Sequence, residues 1–357
     1  MAKKQASESK DKFKDAVDKL NKQYGIGTVL ALDSKSHVEY DVISTGSIGF
    51  DYITLGVGGV VQGKMYELMG WEGTGKSTIC GHLVANCQAK GGKVVYIDGE
   101  HAVDRNYFRS LGVDTTKMLI AQPSCGEEGF NIAVEMISTG EVDLVIIDSD
   151  SSLIPKAVLD GEVGDHAIGK KARLNSSAYP KIKSLADKNN VCVVVVSQYR
   201  EKIGVMFGDP KTTQGGHALK FYSDVRIEVS KTLAKDGDLT YGNVTKVKAI
   251  KNKMSPPYRL SDFEIVYGEG IDKFKELLDI ADELGIGRKY GQTYTFDGIK
   301  YPLDEFKQRL REECDFYDEL KATIIAKIQE VEIQEEEEEI EEIENLEPED
   351  PSQLKLL

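Results

Sequence analysis

Gly70-Trp71-Glu72-Gly73-Thr74-Gly75-Lys76-Ser77 matches the phosphate-binding loop pattern G-x-x-x-x-G-K-[ST] in full. Residues 64–69 before it read as a strand, and residues 78–90 after it have the apolar spacing of a helix. The three glycines let backbone N–H groups point inward around a triphosphate, Lys76 brings a positive charge to the outer phosphates, and the Ser77 hydroxyl can bind Mg²⁺. A chance glycine-rich turn is the alternative, but the strand–loop–helix order favours a nucleotide site.

The composition is that of a folded protein without a membrane or secretory segment. With 357 residues, of which 40% are hydrophobic, the chain can form one large domain and one or two small ones. No apolar run exceeds residues 191–196, and the charged N-terminus lacks the hydrophobic segment of a secretory signal. The five cysteines show no metal-site spacing, so we expect small core residues in a reducing compartment. We therefore expect a cytoplasmic protein with no membrane partner.

The negative charge is concentrated at the C-terminus. Residues 330–357 contain thirteen acidic side chains and one lysine, and they carry −12 of the net charge of −15. Such a run is usually a solvated, self-repelling tail. An acidic tail can also compete with a polyanion for a basic surface, and the sequence leaves both interpretations open.

The pattern between Gly63 and Gly268 alternates strands with helices. Largely apolar runs at 142–148 and 191–197 are typical of central parallel strands covered on both faces. Helices are predicted to begin near Asp104 and at Ser124, where Glu127 completes a capping box. Further strands are predicted at residues 93–98, 118–121, 225–229, 245–250 and 263–267. This order predicts an α/β fold, with a twisted, mostly parallel sheet flanked by helices and ligands at the carboxyl ends of the strands.

Three further segments flank this P-loop NTPase core. Residues 10–24 carry an apolar stripe of helical period, which could fold back on its own core or dock on another subunit, and a short strand at 37–43 follows. Residues 271–330 have mainly helical patterns, with Pro302 placed to begin one helix and Asp315 to cap another. We predict an N-terminal helical oligomerisation arm (1–34), the ATPase core (35–269), a small α+β C-terminal domain (270–330) and an acidic disordered tail (331–357).

Polar residues stand at the ends of three predicted core strands. Asp148 ends the run 142–148, where phosphate-loop enzymes place an acid that orients Mg²⁺; an ordinary turn residue is the alternative. Glu100 follows the strand 93–98 and can take a proton from the water that attacks the terminal phosphate, or it is a surface glutamate. Gln198 follows the run 191–197, and its amide can hydrogen-bond a phosphate oxygen.

Two glycine-rich segments are poor core elements and suit contact with DNA. Residues 201–216 combine glycines, threonines and lysines with the Met206-Phe207 pair, which can wedge between bases while the lysines meet phosphates. Residues 155–173 form a second segment of this kind. For either loop alone, an active-site lid is an equally good interpretation.

Two pairs of side chains have ambiguous patterns. Lys251 and Lys253 lie two apart on a predicted strand, so they face one side, either as a solvated edge or as a pair aimed at phosphate. Tyr107 and Tyr267 lie near strand ends, where they could hold a base or pack in the core.

Together these segments resemble the bacterial RecA recombinase family from about residue 10 to about residue 330. Segment 202–208 is highly specific for that family, whereas a phosphate loop alone is not. Beyond the phosphate loop, the resemblance rests on Ile97-Asp98-Gly99-Glu100-His101-Ala102, residues 158–164, Lys202-Ile203-Gly204-Val205-Met206-Phe207-Gly208, Gly215-Gly216-His217-Ala218-Leu219-Lys220-Phe221-Tyr222 and Tyr267-Gly268-Glu269-Gly270.

The resemblance implies an ATP-dependent recombinase that forms a helical homo-oligomeric filament on single-stranded DNA. Such a protein pairs that strand with homologous double-stranded DNA and exchanges strands, with DNA-stimulated ATP hydrolysis. Recombinational DNA repair would be its use, with the SOS response as a candidate further role. Single-strand-binding and mediator proteins are candidate partners.

The resemblance also implies roles for individual residues. Glu100 would activate water, with Lys76 and Gln198 as further catalytic residues, while Ser77 and Asp148 would hold Mg²⁺. Lys220 and Phe221 would lie at the subunit interface. ATP contacts are expected from Gly70, Glu72, Gly73, Thr74, Gly75, Lys76, Ser77, Thr78, Asp104, Tyr107, Asp148 and Tyr267, and, across the subunit interface, from Lys251 and Lys253. DNA contacts are expected from Glu162, Gly164, Ile168, Arg173, Lys202, Gly204, Val205, Met206, Phe207, Gly208, Thr213, Gly215 and Gly216.

Several positions depart from the family pattern. The phosphate loop reads Trp-Glu-Gly-Thr at 71–74, where the family usually has Pro-Glu-Ser-Ser. Ser197 stands where Asn is usual, Ile168 replaces a usual Met, and the tail is unusually rich in glutamate. The chain therefore looks like a divergent member, bacterial or viral. A ring-shaped helicase motor with the same core and a DNA-coating protein that only binds ATP are the competing hypotheses.

Overall fold

The phosphate-binding loop belongs to the larger of the two units into which the chain divides. The computed structural model describes residues 2–24, 40–162, 169–201 and 211–345. The units are residues 1–40 and 41–357. In the first unit, helix α1 (Ala2–Tyr24) contains the predicted helix 10–24 and begins nearer the N-terminus. Of the predicted strand 37–43, only β1 (Val42–Ile43) is present, and residues 37–39 lie outside the described residues.

A ten-stranded sheet forms the centre of the larger unit. Its order is β12-β11-β10-β9-β3-β7-β6-β4-β5, with β8 paired to β7. The strands from β9 to β5 in this order run parallel, and β9 to β12 pair antiparallel at the other edge. The predicted α/β class, with a mostly parallel sheet, is confirmed. The strands after β1 are β2 (Val60–Val61, paired with β1), β3 (Met65–Gly70), β4 (Val94–Asp98), β5 (Met118–Ala121), β6 (Leu144–Asp148), β7 (Cys192–Glu201), β8 (Lys211–Thr213), β9 (Val225–Asp236), β10 (Leu239–Lys251), β11 (Leu260–Val266) and β12 (Gly270–Ile271).

Helices cover both faces of this sheet because successive strand residues point to opposite sides. Val94 and Tyr96 of β4 pack in one apolar cluster with helix α2, while Val95 and Ile97 pack in another with α4 and α6. Cys80, Cys87 and Cys192 are buried in the first cluster, as expected for small core residues, whereas Cys314 is exposed. The helices are α2 (Lys76–Ala89), α3 (Arg105–Ser110), α4 (Gly126–Ser138), α5 (Lys156–Leu159), α6 (Lys170–Asn189) and α7 (Ala218–Tyr222).

The prediction that Glu127 is the partner of Ser124 in a capping box is wrong by one residue. Helix α4 begins at Gly126, so the carboxylate that reaches back is Glu128, which accepts from the Ser124 N–H (2.8 Å) and hydroxyl (2.5 Å). Glu127 instead accepts from the N–H of Lys156 at 2.7 Å. The prediction near Asp104 is correct, since its side chain accepts from two N–H groups of the first turn of α3.

The C-terminal part contains a small sheet that the sequence patterns did not reveal. Three four-residue strands, β13 (Gly287–Tyr290), β14 (Thr293–Phe296) and β15 (Ile299–Pro302), pair antiparallel between α8 (Lys273–Glu283) and α9 (Leu303–Glu312). Strands this short carry too few residues to show an alternating pattern. Helices nevertheless cover most of residues 271–330, as expected, and the small sheet makes this part α+β, as predicted.

The last helix, α10 (Cys314–Asn345), differs from the prediction at both ends. Asp315 lies in its first turn rather than at its cap, although Pro302 does immediately precede α9, as expected. The helix continues through residues 331–345, where we predicted a disordered tail, because glutamate is a good helix former despite its charge. Residues 346–357 lie outside the described residues. None of the described helices is both long and apolar enough to cross a membrane.

A buried glutamate joins the C-terminal helices to the core. Glu276 of α8 is 4% exposed, and its carboxylate accepts from the Ser47 hydroxyl (2.5 Å) and from the N–H of Gly49 (3.0 Å). These groups begin a turn of π-helix at Gly49–Thr54 that contains a second buried acid, Asp51. Burial raises the pKa of Glu276 to about 8, and Asp51 adds to this by like-charge repulsion. Burial also raises the pKa of Asp51 to about 6, opposed by its bonds to Ser44 and Thr45 and by Lys321.

The free energy of unfolding is expected to fall as pH rises from about 5 to about 8. A raised pKa means that the folded chain holds a proton that the unfolded chain releases, so this stabilisation is complete below the ordinary pKa of 4.5 and lost through about 8. The slope can reach about 1.4 kcal/mol per pH unit for each such proton. Glu276→Gln, which keeps the acceptor oxygen without a charge, should flatten the profile. Urea unfolding of both proteins across this range measures the effect.

The matched control for this prediction is Glu283→Gln, the same change at an exposed position of α8. That variant should keep the pH dependence of the original chain. Equal loss of stability with rising pH in the original chain and in Glu276→Gln would contradict the assignment to Glu276.

Candidate functional site

Strand register brings the predicted chemical groups to one edge of the sheet. Gly70 at the end of β3 lies opposite Gln198 of β7, and Asp98 at the end of β4 lies opposite Asp148 of β6. Since these strands are parallel, their carboxyl ends open on one cleft of about 360 Å³. The cleft is lined by Glu72, Gly73, Thr74, Gly75, Lys76, Ser77, Thr78, Glu100, Tyr107, Asp148, Val196, Gln198, Asn243, Ile265, Tyr267 and Gly268.

The phosphate-binding loop forms a cradle that only glycine permits at two positions. A Cβ on Gly70 would lie 2.4 Å from the carbonyl oxygen of Val229 in the neighbouring strand. Gly75 has φ +93°, and a Cβ there would lie 2.5 Å from Cδ1 of Ile265. Gly75 is also the N-cap of α2, so the free N–H groups and the positive end of the helix dipole face the cleft. The cradle fits a polyphosphate.

Lys76 begins α2 and is 6% exposed. Its ammonium donates to the carbonyl oxygens of Gly70 (3.0 Å) and Trp71 (2.7 Å), so it lies curled over the loop. Burial lowers the pKa of Lys76, while Asp148 and Glu100 oppose that shift. A phosphate would offer this buried cation a stronger partner than the two carbonyls.

Asp148 and Ser77 are in direct contact. The Ser77 hydroxyl donates to Oδ2 of Asp148 at 2.8 Å, and the Tyr96 hydroxyl donates to the same oxygen at 2.6 Å. Burial raises the pKa of Asp148, against the effect of these two hydrogen bonds. Within the described residues, no three His, Cys, Asp or Glu side chains gather as a metal site. One carboxylate and one hydroxyl beside a phosphate cradle fit Mg²⁺, which usually completes its shell with phosphate oxygens and water.

Glu100 and Gln198 are hydrogen-bonded to each other across the cleft. Oε1 of Glu100 accepts from Nε2 of Gln198 at 2.7 Å and from the Ser149 hydroxyl at 2.6 Å. Glu100 is exposed to solvent, so a water molecule can reach its carboxylate. The arrangement can hold a carboxylate beside a bound phosphate and orient a water for attack.

Two tyrosines flank the cleft where a base would extend from the phosphates. The Tyr107 hydroxyl lies 2.8 Å from the Thr78 hydroxyl, and the Tyr267 hydroxyl donates to Oδ1 of Asn243 at 3.0 Å. Tyr267 is 52% exposed, so its ring is available to stack. Asp104 is not among the residues that line the cleft, because its carboxylate caps α3.

The sequence did not indicate several residues of this site. Val196 and Tyr96 read only as apolar-strand residues, and Ser149 read as the end of a strand. Asn243 lies on an antiparallel strand far along the chain, where nothing local marks it. Also missed were Ile265 and Gly268, which line the cleft.

Lys251 and Lys253 lie away from the cleft of their own chain. Lys251 is the last residue of β10, so the expectation that Lys251 and Lys253 lie on one strand is wrong for Lys253. Both nevertheless point to the same region: Lys251 donates to the carbonyl of Ser223 at 2.6 Å, and Lys253 pairs with Asp224 at 3.1 Å. Lys220, whose carbonyl also accepts from Lys251, and the 70%-exposed Phe221 lie on α7 beside them.

The predicted DNA loops are described only at their bases. Tyr199, Arg200 and Glu201 of β7 pair with Thr213, Thr212 and Lys211 of β8, and this paired segment, called here the hairpin base, begins one residue after Gln198. Gly215 and Gly216 follow Thr213, and Glu162 and Arg173 are exposed. The remaining predicted contacts, Gly164, Ile168, Lys202, Gly204, Val205, Met206, Phe207 and Gly208, lie outside the described residues.

Comparison with known proteins gives a consistent result over most of the chain. Residues 11–272 match the sequence profile of the RecA N-terminal domain. The chain is 43% identical to protein RecA of Cytophaga hutchinsonii over 317 residues, which are 88% of this chain and 89% of that protein. It is 43% identical to protein RecA of Chloroherpeton thalassium over 84% of this chain and 87% of that protein. Protein RecA of Aquifex aeolicus is 41% identical over 91% of this chain and 93% of that protein.

Proposed function

Since the chain belongs to the RecA family, we propose that it assembles on single-stranded DNA with ATP bound, pairs that strand with a homologous duplex and exchanges strands. It is a recombinase and a DNA-dependent ATPase that serves DNA recombination and repair. The observation that carries the proposal is the position of Gln198, which contacts Glu100 in the cleft and immediately precedes the hairpin base.

The cleft supports a division of roles among its residues. The phosphate loop would hold the triphosphate by its N–H groups, and Lys76 would turn from the loop carbonyls to the outer phosphates. Ser77 and Asp148 would hold Mg²⁺, which when bound neutralises charge on those phosphates. Glu100, held by Ser149, would take the proton of the attacking water. Tyr107 and Tyr267 would contact the base.

The lysine pair supports a site completed by a neighbouring subunit. Lys251 and Lys253 lie outside their own cleft but beside the exposed Phe221. In a filament, this surface would meet the cleft of the next protomer, and the two cations would reach its phosphates. Cytoplasmic location, together with single-strand-binding and mediator proteins as partners, completes the proposal.

Gln198→Ala is expected to weaken the coupling between ATP and DNA. Gln198 links the cleft to the hairpin base, so its loss should reduce the gain in single-strand affinity that ATP gives while leaving the nucleotide-free affinity. Fluorescence anisotropy of a labelled oligonucleotide with and without an ATP analogue measures this gain. Gln308→Ala removes an exposed amide on α9 and serves as the control. An undiminished gain in Gln198→Ala would refute the coupling.

The test of the function as a whole compares three activities. ATP hydrolysis is measured with and without single-stranded DNA, the mixture is imaged for filaments, and strand exchange is assayed with a homologous duplex. A recombinase should show stimulated hydrolysis, filaments and exchange. A ring motor would unwind duplex without exchange, and a coating protein would bind DNA without stimulated hydrolysis; either result would overturn the proposal.

A further inference from the structure

An aromatic contact links the phosphate loop directly to the hairpin base. The ring of Trp71, in the phosphate loop, meets the ring of Tyr199, in β7, edge to face with centroids 5.9 Å apart and planes at 65°. Tyr199 is the first residue of the hairpin base and lies opposite Thr213. The two rings therefore join segments that are 128 residues apart in the chain, without passing through Gln198.

The ring of Tyr199 also contacts the returning strand. The ammonium of Lys211, in β8, lies 5.6 Å from the centre of the Tyr199 ring and pairs with Glu228 of β9 at 2.9 Å. Tyr199 thus contacts both Trp71 and Lys211, so a displacement of the phosphate loop at Trp71 bears on both strands of the hairpin base. Cation–π and edge-to-face contacts of this kind depend on ring position.

The backbone of Trp71 is held by the same cation that faces the phosphates. The carbonyl oxygen of Trp71 accepts from Nζ of Lys76 at 2.7 Å and from the Thr74 hydroxyl at 2.9 Å. An ammonium has three protons, and a bound triphosphate takes part of this donor capacity. Nucleotide binding would therefore change the restraint on the peptide of Trp71, whose ring contacts Tyr199.

We propose that the Trp71–Tyr199 contact is a second coupling route between nucleotide and DNA, in addition to Gln198, with Trp71 as a positioning residue for DNA stimulation of ATP hydrolysis. The inference rests on the proposed function. Trp71 is 40% exposed, so its ring is not required to fill the core.

Coupling is measured as the ratio of the affinities for an ATP analogue with and without a single-stranded oligonucleotide. Trp71→Leu and Tyr199→Leu should each lower this ratio roughly 2- to 10-fold, the value of one aromatic contact. The double variant should lose no more than either single variant, because the two residues act through one contact. Trp71→Phe and Tyr199→Phe, which keep an aromatic ring, should retain most of the coupling ratio of the unsubstituted chain.

A second measurement uses the fluorescence of the unsubstituted chain, with Tyr199→Leu as the comparison. Trp71 is its one tryptophan, so the tryptophan emission reports on the surroundings of this ring, which include Tyr199. Emission should change when the ATP analogue is added without DNA, and again when the oligonucleotide is added without nucleotide. In Tyr199→Leu the response to the oligonucleotide should be lost.

The outcomes separate this inference from the proposed function. If the oligonucleotide changes neither the affinity of the unsubstituted chain for the ATP analogue nor its rate of ATP hydrolysis, the proposed function fails. If both effects are present, but the leucine variants keep the full coupling ratio, or their losses add in the double variant, the contact is not a coupling route. The inference would also be overturned if the tryptophan emission of the unsubstituted chain did not change on addition of the oligonucleotide.

Discussion

Lys76→Ala is expected to abolish ATP-driven filament formation and to lower ATP hydrolysis by at least about 100-fold. The ammonium of Lys76 is the buried cation of the phosphate cradle, and its present partners are two loop carbonyls. Charge-assisted hydrogen bonds contribute about 1.5–3 kcal/mol each, so affinity for the triphosphate should fall roughly 10- to 100-fold. Electron microscopy of the protein with ATP and single-stranded DNA, together with a titration of an ATP analogue, measures both effects.

The control for this prediction is Lys117→Ala, which removes a lysine that is 76% exposed and pairs only locally with Asp114. It should form filaments normally. Because Lys76 also holds the loop through Gly70 and Trp71, thermal unfolding of Lys76→Ala shows whether the fold survives. A folded Lys76→Ala variant that still forms ATP-dependent filaments would show that the cradle acts without its cation.

Glu100→Gln is expected to bind ATP and DNA normally but to hydrolyse ATP roughly 100- to 10,000-fold more slowly. The amide keeps an oxygen where Oε1 accepts from Ser149 and Gln198, so the network can remain while the proton acceptor is lost. Because product forms more slowly, the variant should stay on DNA longer than the original chain. Phosphate release under saturating ATP and DNA, with dissociation followed by anisotropy, measures both properties.

The same substitution at Glu141, an exposed residue paired with Lys93, controls for the loss of one negative charge. Glu141→Gln should hydrolyse ATP at the original rate. Normal turnover in Glu100→Gln would remove Glu100 from the reaction, and weak binding of ATP would indicate a structural role instead.

The sequence alone was sufficient to predict the residues whose chemistry is tied to a strand end. Apolar runs of buried parallel strands stop where the chain reaches solvent, so Asp148 and Gln198 could be identified as groups at the edge of the sheet. The phosphate loop was equally clear, because its glycines and its lysine must be consecutive in the chain. These groups account for the phosphate side of the cleft.

The other parts of the site depend on which strands become neighbours in the sheet, and local sequence patterns do not encode the strand order. Tyr96 donates to Asp148 only because β4 and β6 lie side by side, and Asn243 reaches Tyr267 from an antiparallel edge. The small sheet at 287–302 was missed for a different reason, the shortness of its strands. Contacts of this kind follow from topology, so they appear once the sheet order is known.

The distribution of thiols makes the protein suitable for selective chemical labelling. Cys80, Cys87 and Cys192 are sealed in the interior, and burial raises the pKa of Cys87 to about 12 and shifts the other two in the same direction. A maleimide reacts with thiolate, so these three thiols should not react, while the exposed Cys314 at the start of α10 takes the label. With the partly exposed Cys125 changed to serine, a single dye at Cys314 would then report distances from the C-terminal helices to a labelled oligonucleotide.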